Sequence, residues 1–476
     1  MDADETQLRG IISGVPYTYD ADARAAEIKS HYDSYEGKRV SVAGRVLAVR
    51  KSGKLVFVDI LDSTGTLQCY FDFAEVGEKG IDAAKALNPG DMLGAKGAVF
   101  KTKPGEVSVK VREHVLLAKA VRPLPGKWKG LQDTELRYRK RYLDLIINRE
   151  VRDIFMKRVC ITRLMRQYLE KQGFMEFETP VIQPLYGGAD AEPFKTHVNT
   201  LDEEDYLRIA NELYLKRLVI GGFERVFEVY KAFRNEDIDT THSPEFTMIE
   251  AYQAYTDYEG MMRLTEGMLE FITKELYGTD TIEYQGEKVS FKAPFRRVRF
   301  VDSVNDATGK DILSLKDEEL FSLAERHGIR FEKGKRFRAH AYQKLFDVLV
   351  QPELRHPTFA IDYPKETSPL TRPKRGAPKL VERFELFIHG LELANAYSEL
   401  NSPFIQRENF EAEKEKAAIG DKEAEPLDMD FIEAMEYGMP PMGGIGIGVD
   451  RLVMILTNQT SIKEVIAFPM EKRQKQ

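Results

Sequence analysis

The chain has 476 residues, 42% hydrophobic and 31% charged, an ordinary globular composition with material for two or three domain cores. Its net charge is −7, but residues 37–125 carry 15 Lys and Arg against 9 Asp and Glu, a basic module on an acidic body that suits a polyanionic partner as well as an ordinary solvated surface. Two cysteines, Cys69 and Cys160, fit neither a disulfide scaffold nor a zinc spacing, the acidic start Met1–Glu5 argues against a secretory signal, and no apolar run reaches membrane-span length; reduced thiols and a cytoplasmic protein are expected.

Residues 1–36 read as an acidic helical lead-in. Short alternating runs follow at Arg39–Val49, Leu55–Leu61, Leu67–Phe71, Met92–Phe100 and Glu106–Leu117. Turns with Gly53, Gly65, Gly90 and Gly105 separate them, and Gly80–Leu87 is helix-like. Five short strands with one helix predict a small closed barrel of the OB type, whose strand face commonly binds single-stranded nucleic acid. Pro123, Pro125 and Gly126 mark its end, and Trp128–Asn148 reads as a helical linker with a basic face. The expected division is 1–125 for lead-in and barrel, 126–148 for the linker and 149–476 for a second domain with a helical insertion around 256–345.

In the second domain, Val151–Gln172 has apolar residues at helical spacing and stops at Gly173. Phe174–Pro180 reads as a strand ended by proline. Asn211 is placed to cap a helix reaching Ile220. Val226–Glu236 and Phe246–Tyr255 alternate as two strands around a polar loop. Helices are predicted over Tyr258–Leu276 and Glu318–His327, with a hairpin near Gly286. Arg383–Leu400 is a second strand pair turning at His389-Gly390, residues 406–437 are charged and helical, and Ile447–Thr457 reads as a last strand leading into a last helix. A basic tail spans Lys472–Lys475.

Side chains alternate along a strand. Arg234 and Glu236 therefore share one face, as do Phe246, Glu250 and Tyr252 after the loop, so the two strands can offer all five on one floor. Two arginines, Arg234 and Arg451, and two carboxylates, Glu385 and Glu392, suit a nucleoside triphosphate with Mg²⁺, because guanidinium grips phosphate bidentately and carboxylates hold the metal. Taken two at a time, such residues read better as surface ion pairs on a half-buried sheet; the whole set together favours a site. Asn395, Tyr397 and Glu399 have one parity and Glu392 the other, so a shared pocket requires a bulge near Leu393-Ala394. The Gly443–Gly448 cluster lacks the final glycine of a dinucleotide fingerprint and the Lys-Ser/Thr of a phosphate loop; it predicts a strand that something approaches closely.

These motifs resemble those of the class II aminoacyl-tRNA synthetases: Phe233-Arg234-Asn235-Glu236 with His242-Ser243-Pro244-Glu245-Phe246 their motif 2, Gly444–Arg451 their motif 3, and the helix–strand–Pro180 unit their dimer-forming motif 1. Arg383–Ile388, Glu392–Leu400, Leu207–Tyr214 and Gly187–Phe194 resemble the class II lysyl-tRNA synthetases in particular, from about Gly37 onward. The resemblance implies an α+β chain, an amino-terminal OB-fold anticodon-binding barrel followed by a catalytic domain on an antiparallel sheet flanked by helices. It implies lysine–tRNA ligase activity, with ATP, L-lysine, tRNA(Lys) and Mg²⁺ as reactants and cofactor and a homodimer as the assembly.

By the same resemblance, Arg234 holds the α-phosphate and the substrate carboxylate, Glu236 reads the adenine amino group, and Phe246 stacks on adenine with Arg451 on its other face or near the γ-phosphate. His242 touches the terminal phosphate, and Glu385 and Glu392 hold Mg²⁺. Glu399 and Tyr252 hold the lysine ε-ammonium, Tyr397 walls the stem, Asn395 shares the carboxylate, and Glu212, Glu250 and the Gly188 carbonyl take the α-ammonium. Analogues lacking the amine are expected to be rejected because Glu399 would be left charged and unpaired. In the barrel, Phe57 matches a base-stacking ring, Gln68 a base-reading amide and Glu113 an acidic anticodon contact. Asn211 and Ala396 depart from the family's usual proline and glycine without altering a charge. The rival readings are an aspartate or asparagine synthetase, opposed by Glu212 and Glu399; an enzyme lysylating a protein, which would lack the barrel; and a non-catalytic tRNA-binding paralogue, opposed by the intact Arg234, Glu385, Glu392 and Arg451.

Overall fold

The computed structural model describes residues 3–125, 131–331, 336–418 and 426–472. The chain forms two compact units, residues 1–132 and 133–476. Trp128 of the expected linker and residues 473–475 of the basic tail lie outside the described residues.

The first unit is a closed barrel of strands β1 (Arg39–Ser52), β2 (Leu55–Leu61), β3 (Thr66–Asp72), β4 (Met92–Lys101) and β5 (Val107–Ala118), in the order β1-β2-β3-β5-β4. Alternation sends Val42, Val56, Val58, Leu67, Cys69 and Val109 into its core. A helix, Phe73–Lys85, follows β3, and Asp72 caps it by accepting from the Ala74 amide. The lead-in is helical at Ala3–Ser13, Ala25–Ser30 and Tyr32–Tyr35.

The second unit opens with two short helices, Thr134–Arg139 and Arg141–Ile147. The expected basic face is turned partly inward. Arg141 is fully buried on Asp144 and the backbone carbonyls of Lys463 and Ala467, and Arg137 is paired with Asp144 and Glu464. The helix Arg149–Lys171 ends at Gly173, whose φ of +83° suits glycine. The strand after it, β6, is only Met175–Glu176, shorter than expected, and pairs parallel with the main sheet. Strands β7 (Ile182–Gln183), β8 (Lys195–Val198) and β9 (Glu203–Leu207) form a small sheet beside it.

The large sheet is built from β6, β10 (Arg225–Phe233), β11 (Glu245–Ala254), β14 (Arg296–Arg299), β15 (Thr358–Pro364), β16 (Pro373–Lys374), β17 (Ala377–Ile388), β18 (Leu391–Ser398) and β19 (Met442–Gly448); β12 (Thr281–Tyr284) and β13 (Glu287–Ser290) make a separate hairpin. The order is β14-β15-β17-β18-β19-β11-β10-β6, antiparallel except for the outermost pairs β14–β15 and β10–β6. Helices Tyr258–Tyr277 and Arg149–Lys171 cover one face, burying Met261, Leu269, Ile161 and Leu169 with Ile445 and Ile447 of the sheet. The β17–β18 hairpin turns at His389-Gly390, both at positive φ. Its register steps from Leu386↔Ala394 to Phe387↔Glu392, so Leu393 is the extra residue of the bulge that the parity of Glu392 requires.

The segment Ile447–Thr457 is a strand leading into a helix: β19 ends at Gly448 and the helix Val449–Leu456 starts at once, although a further short helix, Ile462–Val465, follows it. One expectation is corrected here. Asn211 stands at the start of helix Glu212–Ile220 but its side chain does not cap it. Instead its amide donates to Glu228 at 2.7 Å, within a buried cluster with Arg208 and Thr179.

Candidate active site

The uncovered face of the sheet opens into a cavity of about 850 Å³. All fourteen residues singled out in the second domain line it: Gly188, Glu212, Arg234, Glu236, His242, Phe246, Glu250, Tyr252, Glu385, Glu392, Asn395, Tyr397, Glu399 and Arg451. Pairing across strands explains the convergence. Glu385 lies opposite Asn395 and Arg383 opposite Tyr397 on β17–β18. Gly444 lies between Tyr252 of β11 and Tyr397 of β18.

The strand β10 stops at Phe233, so Arg234 and Glu236 lie just past its end. The Arg234 amide still donates to Pro244 at 2.9 Å, which keeps it over β11. Its guanidinium sits 5.2 Å from the Phe246 ring centroid. Its Nε is buried without a hydrogen-bond acceptor among the described residues, an arrangement that calls for an anion. Arg451 is in the first turn of its helix. It donates to the Glu392 carbonyl at 2.7 Å, lies 3.6 Å from the Glu392 carboxylate and meets His242 Nε2 at 3.2 Å. The other His242 nitrogen contacts Asp239 at 2.8 Å. Despite partial burial, the Thr241 and His242 amides and the His242 ring hold the Asp239 carboxyl down at about 2. Glu236 accepts from the Glu192 amide at 3.3 Å. Asp450, next to Arg451, pairs with Arg158 and accepts from the Thr247 amide at 2.6 Å, locking this helix to β11.

Glu385 is buried. It accepts from Tyr363 at 2.8 Å and is paired with Arg383, itself held by Asn395, Ser368 and the Thr367 carbonyl. Burial raises its pKa against the pull of Arg383, and the Glu392 and Asp347 carboxylates raise it further. Asp347, on helix Arg338–Leu349, is likewise raised by burial and by Glu392. Carboxylates that oppose one another's ionisation fit a divalent cation, which would favour their charged forms.

The opposite end of the cavity is acidic. Glu399 has no exposed surface, and Glu212 and Glu250 are buried. Glu250 accepts from Tyr230 and, at 3.0 Å, from Tyr252; burial and the neighbouring Glu212 push its pKa up to about 7. Gly188 has a φ of +83°, and a Cβ there would come within 2.8 Å of the Glu212 Cβ. A Cβ on Gly444 would lie 2.2 Å from Glu399 Oε1 and 2.3 Å from Tyr252 Cε1. What approaches the glycine strand is thus the acidic wall itself. The expectation of an unpaired Glu399 is overturned: Lys216 Nζ lies 2.5 Å from its Oε2 and is also paired with Glu212. Even so, neither Glu399 oxygen receives an aligned hydrogen bond among the described residues.

Sequence reasoning missed Lys216, Arg383, Tyr230, Tyr363 and Asp347. Lys216 carried a local signal in its i+4 spacing from Glu212, and Arg383 one in its i+2 spacing from Glu385 on one strand.

In the barrel, Phe57 stands opposite Tyr70, and the rings of Phe57, Tyr70 and Phe100 follow one another at 5.3 Å with edge contacts. Gln68 shares this face but is buried, accepting from Ser108 at 2.9 Å. Glu113 stands apart, opposite Lys96 on β4 and paired with Arg39.

A family model described as tRNA synthetases class II (D, K and N) matches residues 133–472, and one described as an OB-fold nucleic acid binding domain matches residues 40–117. The chain is similar to a lysine–tRNA ligase of Clostridium botulinum, strain Hall, with 48% identity over 94% of this chain and 90% of the relative. Those of Clostridium novyi (47%, covering 94% and 88%) and Clostridium perfringens strain 13 (46%, covering 95% and 91%) are similar to it in the same way. An OB-fold barrel, a bulged antiparallel hairpin that brings Glu392 into one cavity with Glu399, and these matches agree that the chain belongs to the class II aminoacyl-tRNA synthetases, within the lysine–tRNA ligase family.

Proposed function

We propose that this chain joins L-lysine to tRNA(Lys) at the expense of ATP, and that the residues lining the cavity act as follows. The observation that carries this reading is a buried acidic end, Glu212, Glu250 and Glu399, sharing one cavity with Arg234 and Arg451. A substrate with a carboxylate between two ammonium groups and a triphosphate fits that division of charge.

The lysine carboxylate lies toward Arg234, its α-ammonium among Glu212, Glu250 and the Gly188 carbonyl, and its stem along Tyr397 toward Glu399 and Tyr252. A carboxylate oxygen attacks the α-phosphorus of ATP in line. The bond from that phosphorus to the bridging oxygen breaks, giving lysyl-adenylate and pyrophosphate. A terminal ribose hydroxyl of the tRNA then attacks the carbonyl carbon and AMP leaves. Arg234 stabilises the charge developing at the α-phosphate, with Arg451 and His242 at the distal phosphates, so positioning and electrostatics supply most of the acceleration. Phe246 stacks on adenine and Glu236 accepts from its amino group. Glu385 and Glu392 would hold Mg²⁺, which when bound neutralises charge on the leaving pyrophosphate.

Phe57 and Gln68 receive splayed anticodon bases, with Glu113 a more distant contact. A second copy is placed on the helix Arg149–Lys171, where Met156 and Val159 are 70% and 67% exposed. No helix among the described residues is long and apolar enough to cross a membrane; the reaction is assigned to the cytoplasm, where its substrates meet. Pyrophosphate exchange across the twenty amino acids tests the reading: exchange with lysine alone supports it. Exchange with aspartate or asparagine, or none, refutes it.

A further inference from the structure

We propose that Lys216 is the internal counter-cation of the amino-acid pocket, holding its ammonium between Glu212 and Glu399 so that part of the charge of three buried carboxylates is offset within the site that receives a substrate carrying two ammonium groups. This rests on the lysine reading above and adds a residue that sets the specificity of that site.

A lysine is almost never fully buried unless paired. Lys216 is 1% exposed, and both of its carboxylate partners belong to the pocket: Glu212 one helical turn before it and Glu399 at the end of β18. The ammonium therefore joins the carboxylate assigned to the α-ammonium with the one assigned to the ε-ammonium. The groups around the cluster are Glu212, Glu250, Glu399, Tyr252, whose ring centroid is 5.9 Å from the ammonium, and Tyr230 and Tyr397, both neutral because burial raises their pKa well above the usual value. Arg234 acts on Glu250 from the nucleotide side, and Arg383 is occupied by Glu385. Burial opposes the charge on Lys216, but Glu212 and Glu399 more than reverse this and raise its pKa. The cation is therefore permanent.

Three buried carboxylates without such a cation would be neutralised largely by protons, and lysine would have to expel them on binding. With Lys216 in place fewer protons need to leave, although burial, against the pull of Lys216, still holds the Glu399 carboxyl up at about 8, and Glu399 Oε1 is left without a donor among the described residues.

The test is calorimetry of L-lysine binding at pH 8 in Tris and in HEPES, whose different ionisation heats give the number of protons released. The full-length wild-type protein is expected to release about one or fewer. Two or more would mean that protons, not Lys216, neutralise the acids, and would overturn the proposal. Lys216→Met keeps the chain length and removes the charge. It is expected to release about one proton more and to raise the lysine KM about tenfold or more, more steeply as pH falls, with the ATP KM unchanged. An unchanged proton count and pH profile in a folded Lys216→Met would show a purely structural tie and overturn the proposal; if that variant shows no cooperative melting, the wild-type count decides. Failure of the wild type to exchange pyrophosphate with lysine would defeat the reading of the site itself and is a separate result.

Discussion

Gly444→Ala places one methyl group where the acidic wall meets β19. The new Cβ would lie 2.2 Å from Glu399 Oε1 and 2.3 Å from Tyr252 Cε1, about 1 Å short of ordinary contact. Neither neighbour can easily yield. Tyr252 is buried in β11 directly opposite Gly444, and the Glu399 backbone is fixed by its bridge to Thr371 and its amide's hydrogen bond to the Met442 carbonyl at 2.9 Å. Relief must move the Glu399 carboxylate or the Tyr252 ring by a similar distance. Misplacement of a positioning group by about 1 Å costs on the order of 100-fold in kcat/KM, and overpacking costs about 1–3 kcal/mol of stability. Pyrophosphate exchange with lysine and ATP varied separately reads the first, and urea denaturation the second. The loss is expected in lysine kcat/KM, with the ATP KM close to wild type. A Gly444→Ala protein with unchanged lysine kinetics would refute the placement of the ε-ammonium beside Glu399.

Because the Glu250 carboxyl is raised to about 7, it is protonated in the free protein at pH 6 and must ionise to receive the α-ammonium; the lysine KM is expected to fall as pH rises from 6 to 8. The same group makes folding pH-dependent. Folded Glu250 keeps its proton up to about pH 7 and the unfolded chain releases it near 4.5, so the native state binds more protons in that window and this contribution to stability declines, by about 3 kcal/mol at most, as pH rises through it. Glu250→Gln should flatten that slope in urea denaturation curves measured at pH 5 and 7.5. Glu392→Gln should raise the Mg²⁺ concentration needed for half-maximal exchange without changing the lysine KM; an unaltered Mg²⁺ titration would remove Glu392 from the metal site. Phe57→Ala should leave exchange intact and raise the tRNA KM in aminoacylation about tenfold to hundredfold, the worth of one base stack.

The barrel and the two strand pairs of the site were legible because a period of two is a local property. It located all five barrel strands and, more usefully, exposed the parity conflict at Glu392 that only a bulge at Leu393 resolves. Local pattern was weaker where an apolar run had no distinguishing period. In Ile447–Thr457 it gave a strand leading into a helix without the boundary, which falls at Gly448 because Leu452, Val453, Ile455 and Leu456 pack as a helix into the core beneath the sheet. The strand after Gly173 shrank to two residues: Met175 and Glu176 pair with β10, and Phe177 adds one amide hydrogen bond to the Phe227 carbonyl at 2.9 Å.

Residue types and spacing were enough to single out the arginines and carboxylates that line one cavity, since each group of them lies within a few residues along one strand or hairpin. Which charges are neutralised, and by what, was settled only in three dimensions. Lys216 reaches Glu399 from a helix far away in sequence, Arg383 is held by Ser368 and the Thr367 carbonyl, and Arg141 is buried on the Lys463 and Ala467 carbonyls instead of facing solvent. The energy of a charge depends on its burial and on every neighbour within a few ångströms, and those neighbours are chosen by the packing of distant segments.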